Sequence, residues 1–119
     1  MPHSPQKLYK KLLGGAGEKL VEKYLKKQGC KILKSNYLTP FGEADIIAED
    51  GDEIVFIEVK ARTTDKYGTP TQAVVKSKQD RYYKIAQFYG LHTGGEPNAR
   101  FDVAGVDADG NIEYLKYAF

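Results

Sequence analysis

The tightest constraint on this chain is the stretch GEADIIAEDGDEIVFIEVKAR, residues 42–62. Two runs rich in isoleucine, valine and alanine flank Asp50-Gly51, a dipeptide suited to a hairpin turn. Strand side chains alternate between faces. Ala44, Ile46 and Ala48 therefore share one face with Val55, Ile57 and Val59, and that wholly apolar face must be core. The opposite face holds Glu43, Asp45, Ile47 and Glu49 on the first strand, and Ile54, Phe56, Glu58, Lys60 and Arg62 on the second. A two-residue loop at Asp50-Gly51 sets Asp45 across from Phe56 and diagonal to Glu58; a four-residue loop sets it directly across from Glu58. An odd loop would bury the Asp45 charge in the apolar face at heavy cost. The expectation is an even loop and a carboxylate pair.

Like charges side by side on a sheet are destabilising, so something must compensate them. Lys60, two residues from Glu58 on the same face, does so in part. A divalent cation does it better, because Mg²⁺ takes carboxylate and backbone oxygens together with waters and a phosphate. One Glu-x-Lys alone is an ordinary surface pair. Here Ile47, Ile54 and Phe56 make the face half apolar, and three charges clustered on such a face mark a candidate site.

Helical spacing of Ala16, Leu20, Val21, Tyr24 and Leu25 predicts a helix over about 16–28, stopped by Gly29. The basic stretch 6–13 has helical character, but Gly14-Gly15 weakens a continuous helix. Strands are expected at 30–36, 42–49 and 53–60, a polar loop at 63–70, a second helix at about 71–89, and closing strands at 100–106 and 111–116. The fold class is α/β with a mixed central sheet flanked by helices, in the order α-β-β-β-α-β-β. Residues 1–13 form a basic N-terminal segment, free to be mobile, and 14–119 one domain.

At 119 residues the chain suits a single core. It contains no apolar run approaching the roughly 18 residues of a membrane span, and no signal peptide is read at its start. Cys30 is the only cysteine, which suits a reducing cytoplasm and leaves no intrachain disulfide. Charge is unevenly spread. Residues 1–39 hold nine lysines against Glu18 and Glu22; residues 40–62 hold seven acids against Lys60 and Arg62. A basic flank beside an acidic centre fits a metal-dependent enzyme acting on a polyanion, and equally a solvated lysine-rich helix. Lys76 and Lys78, with Arg81 and Lys84 on the second helix, are candidates to hold phosphates. Tyrosines, nine against five phenylalanines, could stack on bases, although Tyr24, Tyr82 and Tyr89 fit the edge of the core equally well.

An acid followed by Glu-x-Lys on the next strand resembles the PD-(D/E)XK nuclease superfamily, with Asp45, Glu58 and Lys60 in its three positions. Ala44-Asp45 stands where that pattern has Pro-Asp. More closely, GAGEKLVEKYL, SNY at 35–37, GEADII, VFIEVKAR, KSKQ at 76–79, RFDV at 100–103 and the terminal AF resemble the bacterial YraN family. That family is described as distantly similar to archaeal Holliday junction resolvases. The resemblance implies the restriction-endonuclease-like fold, Mg²⁺ or Mn²⁺ held by Asp45, Glu58 and the Val59 backbone carbonyl, and DNA as partner. It assigns Glu18, on the first helix, to the metal site as well; its position bordering the Val21–Leu25 stripe supports this, whereas an exposed glutamate paired with a lysine is the plain alternative. Gln79 with Tyr83, one turn apart, resembles a pair found in exonuclease-type relatives. Resolvase-like relatives act as dimers, which allows a homodimer here.

The expectation is a metal-dependent nuclease acting on DNA phosphodiester bonds, with selectivity for branched or junction DNA open. Its catalytic residues would be Asp45, Glu58, Lys60 and Glu18, and its nucleic-acid-binding residues Lys19, Lys23, Arg62, Lys76, Lys78 and Gln79. The alternative is a nucleic-acid-binding module of the same fold with little or no cleavage. A weaker third reading is a protein-interaction domain in a membrane or division pathway. All three motif positions stand, which favours catalysis, although function resides in a site rather than a fold.

Overall fold

A computed structural model describes residues 5–62, 75–95 and 97–119, with side chains from Gly15 onward in the first of these segments. The elements are α1 (Pro5–Lys27), β1 (Lys31–Thr39), β2 (Gly42–Asp50), β3 (Glu53–Ala61), α2 (Lys76–Thr93), β4 (Ala99–Val106) and β5 (Ile112–Leu115). They form one five-stranded mixed sheet in the order β1-β2-β3-β4-β5, antiparallel except for the parallel β3–β4 pair. Parallel neighbours need a long crossover, and α2 lies within it. Element order and helix placement are those expected from the sequence. Among the described residues no helix is long and apolar enough to cross a membrane.

The helices cover the two faces of the sheet. Val21 and Leu25 of α1 pack with Ile46, Ala48, Val55, Ile57, Ala104 and Val106. Tyr82, Ile85, Ala86 and Tyr89 of α2 pack with Ile47 and Phe56 on the other side. The face expected to be half apolar is therefore buried along most of its length; Glu43, Asp45, Glu58 and Lys60 lie at one end and the exposed Glu49 at the other.

Three expectations are corrected. The β2–β3 turn is Gly51-Asp52, with Asp50 paired to Glu53. Two-residue hairpin turns need positive φ at the first loop position, and Gly51 supplies it at φ 62°. The predicted turn at Asp50-Gly51 would have put an aspartate there. Next, α1 runs unbroken through Gly14-Gly15 to Pro5. A glycine costs only about 1 kcal/mol in a helix, and proline suits a first helical turn. Residues 1–4, the predicted loop 63–70 and the first turn of the predicted second helix, 71–74, lie outside the described residues. Last, Ala44 packs on the α2 side rather than with Ile46. The β2–β3 ladder ends at Ile46–Ile57, and Asp45 Oδ2 accepts the Val59 N–H at 2.8 Å, so the strand's alternation is reset at Asp45.

The far end of the hairpin is tied by RFDV. Arg100 donates to both carboxylate oxygens of the fully buried Asp102, and to Asp50 and Glu53 at 2.9 Å each. Asp102 also accepts from the Tyr114 hydroxyl at 2.6 Å and the Tyr117 N–H at 3.0 Å. Every strong acceptor direction on Asp102 is filled, as a buried charge requires.

Candidate functional site

The register of the hairpin decides where the charges meet. Asp50–Glu53 through Ile46–Ile57 is one continuous ladder. Beyond it the ladder breaks, Asp45 takes the Val59 N–H, and Asp45 and Glu58 lie close enough for the Glu58 charge to act on Asp45. Both acids line an open cleft of about 400 Å³ at the end of the sheet, together with Glu18, Val59, Lys60 and Lys78. Gly17, Gly42, Glu43 and Arg81 complete much of its rim. Glu58 is only 6% exposed.

The two carboxylates are held differently. Tyr82 donates its hydroxyl to Glu58 Oε1 at 2.8 Å, and the Lys78 ammonium makes an ion pair with Glu58 Oε2. Asp45 has the Val59 N–H as a donor. Burial, and then the charge of Glu58, push the Asp45 pKa up to about 7, while the bond from Val59 works against the shift. Glu18 is raised too, first by burial and then by Glu43, Glu22 and Glu58, with a hydrogen bond to Asn36 opposing. Burial and the Glu58 charge raise the Tyr82 hydroxyl far enough to keep it a donor. The cleft thus concentrates negative charge in a partly dry place, the arrangement that perturbed acids mark at functional sites.

Asp45, Glu58, Lys60, Glu18 and Val59 all line this one cleft. Lys78, read as a phosphate-binding residue, stands in the cleft with its charge on Glu58. Lys76 instead pairs with Asp80 at 3.4 Å on the solvent side of α2. Arg62 reaches Asp107 at 3.7 Å. Lys19 and Lys23 are exposed on α1, and Gln79 is half-buried on α2. Tyr83 packs edge-on against Phe101 and Phe119, with ring centres 5.0 and 5.9 Å away. The tyrosine that touches the site is Tyr82, which the sequence reading left at the core edge. Its signal was the four-residue spacing from Lys78, which puts both side chains on one face of a helix. Glu43 and Arg81 were likewise not read as part of the cleft.

The donor set suits a hard divalent cation: two carboxylates whose charges oppose each other and a third acid nearby. Among the described residues no three histidine, cysteine, aspartate or glutamate side chains already converge on one ion position. Asp45 and Glu58 form a pair that a cation would complete, with Glu18 farther out.

Comparison with known proteins agrees with the sequence motifs. A solved structure titled as Pyrococcus furiosus SfsA in complex with Ca²⁺ matches with a TM-score of 0.34 and 18% identity, covering 89% of this chain and 63% of that one, less than two thirds of its length. A UPF0102 protein of Thermodesulfovibrio yellowstonii is 48% identical over 90% of this chain and 95% of its own. Another, from Syntrophus aciditrophicus, is 50% identical over 89% of this chain and 87% of its own. The family model described as "Uncharacterised protein family UPF0102" matches residues 17–106, a span that runs from the rim of the cleft on α1 to the end of β4. With three quarters of its length matched by that model, the chain belongs to the UPF0102, or YraN, family.

Proposed function

We propose that this protein is a metal-dependent nuclease acting on DNA phosphodiester bonds. The observation that carries the reading is the pairing of Asp45 with the buried Glu58 on the floor of an open cleft that Lys60 also lines. Asp45, Glu58 and the Val59 carbonyl would hold Mg²⁺ or Mn²⁺, with Glu18 as an outer acid. Such an ion, when bound, neutralises phosphate charge and makes water more acidic. Lys60 lines the cleft beside the acids, where it can orient a water and stabilise charge developing on the phosphate oxygens. A lysine ammonium has no lone pair for a metal, so its part lies in the chemical step. Arg81 at the rim offers a planar donor set for a phosphate. The test is incubation of linear, single-stranded, flapped and four-way-junction DNA with Mg²⁺ or Mn²⁺, beside the Lys60→Ala protein. Cleavage by the native protein alone supports the assignment; equal cleavage by both removes it.

A specific observation favours a second reading, a nucleic-acid-binding module with little or no cleavage. Glu58 already has a cation and a hydroxyl in Lys78 and Tyr82, so half of the acid pair is compensated from within the chain. Saturable DNA binding with no product in any metal would select this reading.

A further inference from the structure

Beside the cleft, one turn shows two large apolar side chains to solvent. Leu38 is 75% exposed and Phe41 43% exposed, on either side of Thr39-Pro40 between β1 and β2. The turn is tied down. The buried Thr39 hydroxyl donates to the Gly42 carbonyl at 2.7 Å and accepts the Phe41 N–H at 3.0 Å. Gly42 and Glu43, the next residues, already line the cleft. From α2, Arg81 presses on the same turn: a Cβ at Gly42 would lie 2.8 Å from Arg81 Cδ, and Gly42 has φ 126°. One turn further along α2, the Lys84 ammonium stands over one face of the Phe41 ring, 5.9 Å from its centre. Phe88 lies edge-on to Phe41 at 6.4 Å. A cation at the rim of the acidic cleft is thus followed by an exposed aromatic ring with a second cation on one of its faces.

We propose that Phe41 is a stacking platform for an unpaired base of a strand whose backbone leaves the cleft over Arg81 and Lys84. The proposal rests on the nucleic-acid reading above and adds a substrate class, DNA with an unpaired nucleotide next to the phosphate bound in the cleft. Aromatic rings accept any base by its π-face, while flanking cations hold the phosphates. Inside a uniform duplex the bases already stack on one another and offer this ring nothing. A second copy of the chain is the rival occupant. The neighbouring β1 edge carries the exposed Lys31 and Lys34, and edge lysines oppose pairing between copies.

The test is binding without divalent cation, so that cleavage plays no part. Fluorescence anisotropy compares a blunt duplex with a forked duplex of equal phosphate number, for the native protein, Phe41→Ala and Phe41→Tyr. A 2-aminopurine in the unpaired arm reports stacking directly. The native protein is expected to prefer the fork about tenfold, the size of one base–aromatic stack, and to quench the probe. Phe41→Ala should lose the preference and the quenching while its duplex affinity stays within about twofold; Phe41→Tyr should keep both. Equal affinities for fork and blunt duplex in the native protein overturn the platform and leave the nuclease reading standing. So does a Phe41-dependent dimer in sedimentation, which assigns the turn to self-association. Absence of any DNA binding removes both.

Discussion

Two groups of buried charge occupy opposite ends of β3, and they are built in opposite ways. At Glu53, Arg100 is shared by Asp50, Glu53 and Asp102, and Asp102 is further bonded by Tyr114 and Tyr117. Burial works against the Arg100 charge, yet the carboxylates around it raise its pKa above the usual range. At Glu58, acid lies near acid, and the compensating partners include the Lys78 ammonium and the Tyr82 hydroxyl. Desolvation and like charge leave Asp45 half protonated near neutrality. A network with every group satisfied needs no ligand and serves the fold. A pair of like charges held by fewer partners leaves room for a ligand from outside. The contrast explains why one end is sealed and the other opens into a cleft.

The largest effect should come from breaking the satisfied end. Asp102→Ala leaves Arg100 short of its main partner in a dry place and should cost about 3–5 kcal/mol in urea unfolding. A loss under about 1 kcal/mol would mean that Asp50 and Glu53 suffice and that the network is redundant. At the frustrated end, Lys60→Ala should lower cleavage by about 100-fold or more with little change in unfolding midpoint. Loss of stability without loss of rate would make Lys60 a structural residue and collapse the contrast.

Asp45→Asn tests the frustration itself. Asparagine keeps an oxygen for the Val59 N–H and removes one negative charge. Since the folded-state pKa of Asp45 is about 7 and its ordinary value 3.8, the folded state binds the extra proton between them. The native protein should therefore lose stability as pH rises from about 4 to about 7. Asp45→Asn should escape that loss and melt higher at pH 8, by on the order of 2 kcal/mol, with the difference vanishing toward pH 4. It should also lose any stabilisation by Mn²⁺. A pH-independent difference would show that Asp45 is not charged against Glu58. The smallest effect is expected for Lys78→Met. Its ammonium is partly solvated, so removing it should cost about 1 kcal/mol without cation. If Mn²⁺ restores the variant to native stability, Lys78 and the cation are alternatives on Glu58. If it does not, the ion pair belongs to the fold, and the binding-module reading gains.

The strands and the acid pair were legible because alternation is local: Asp45 and Glu58 interrupt apolar runs, even though the alternation itself is reset at Asp45. The frame of the turn was missed because Asp50-Gly51 reads as a turn dipeptide, whereas here Gly51 takes the first loop position, at φ 62°, and Asp52 the second. Lys78 and Tyr82 were misplaced for a different reason. Lys76 and Asp80 have the same four-residue spacing, and only the way α2 packs on the sheet, through Tyr82, Ile85, Ala86 and Tyr89, decides which pair meets Glu58. That packing is tertiary and is not set by local spacing alone. The continuous α1 was missed because two glycines were weighed and the start signal at Pro5 was not.

The cleft draws on α1, both strands of the hairpin and α2, from Glu18 to Tyr82. The hairpin is local and closes early, whereas a helix must travel back over the sheet before β4 can pair with β3 in parallel, and such distant contacts form slowly. A chain still being synthesised, or a fragment ending before α2, thus carries Asp45, Glu58 and Lys60 but not Lys78, Arg81 or Tyr82. The acids are present from the first hairpin; the cleft exists only once the chain has been released through α2 and has folded as a whole. Order of assembly thereby ties the cleft to a finished molecule.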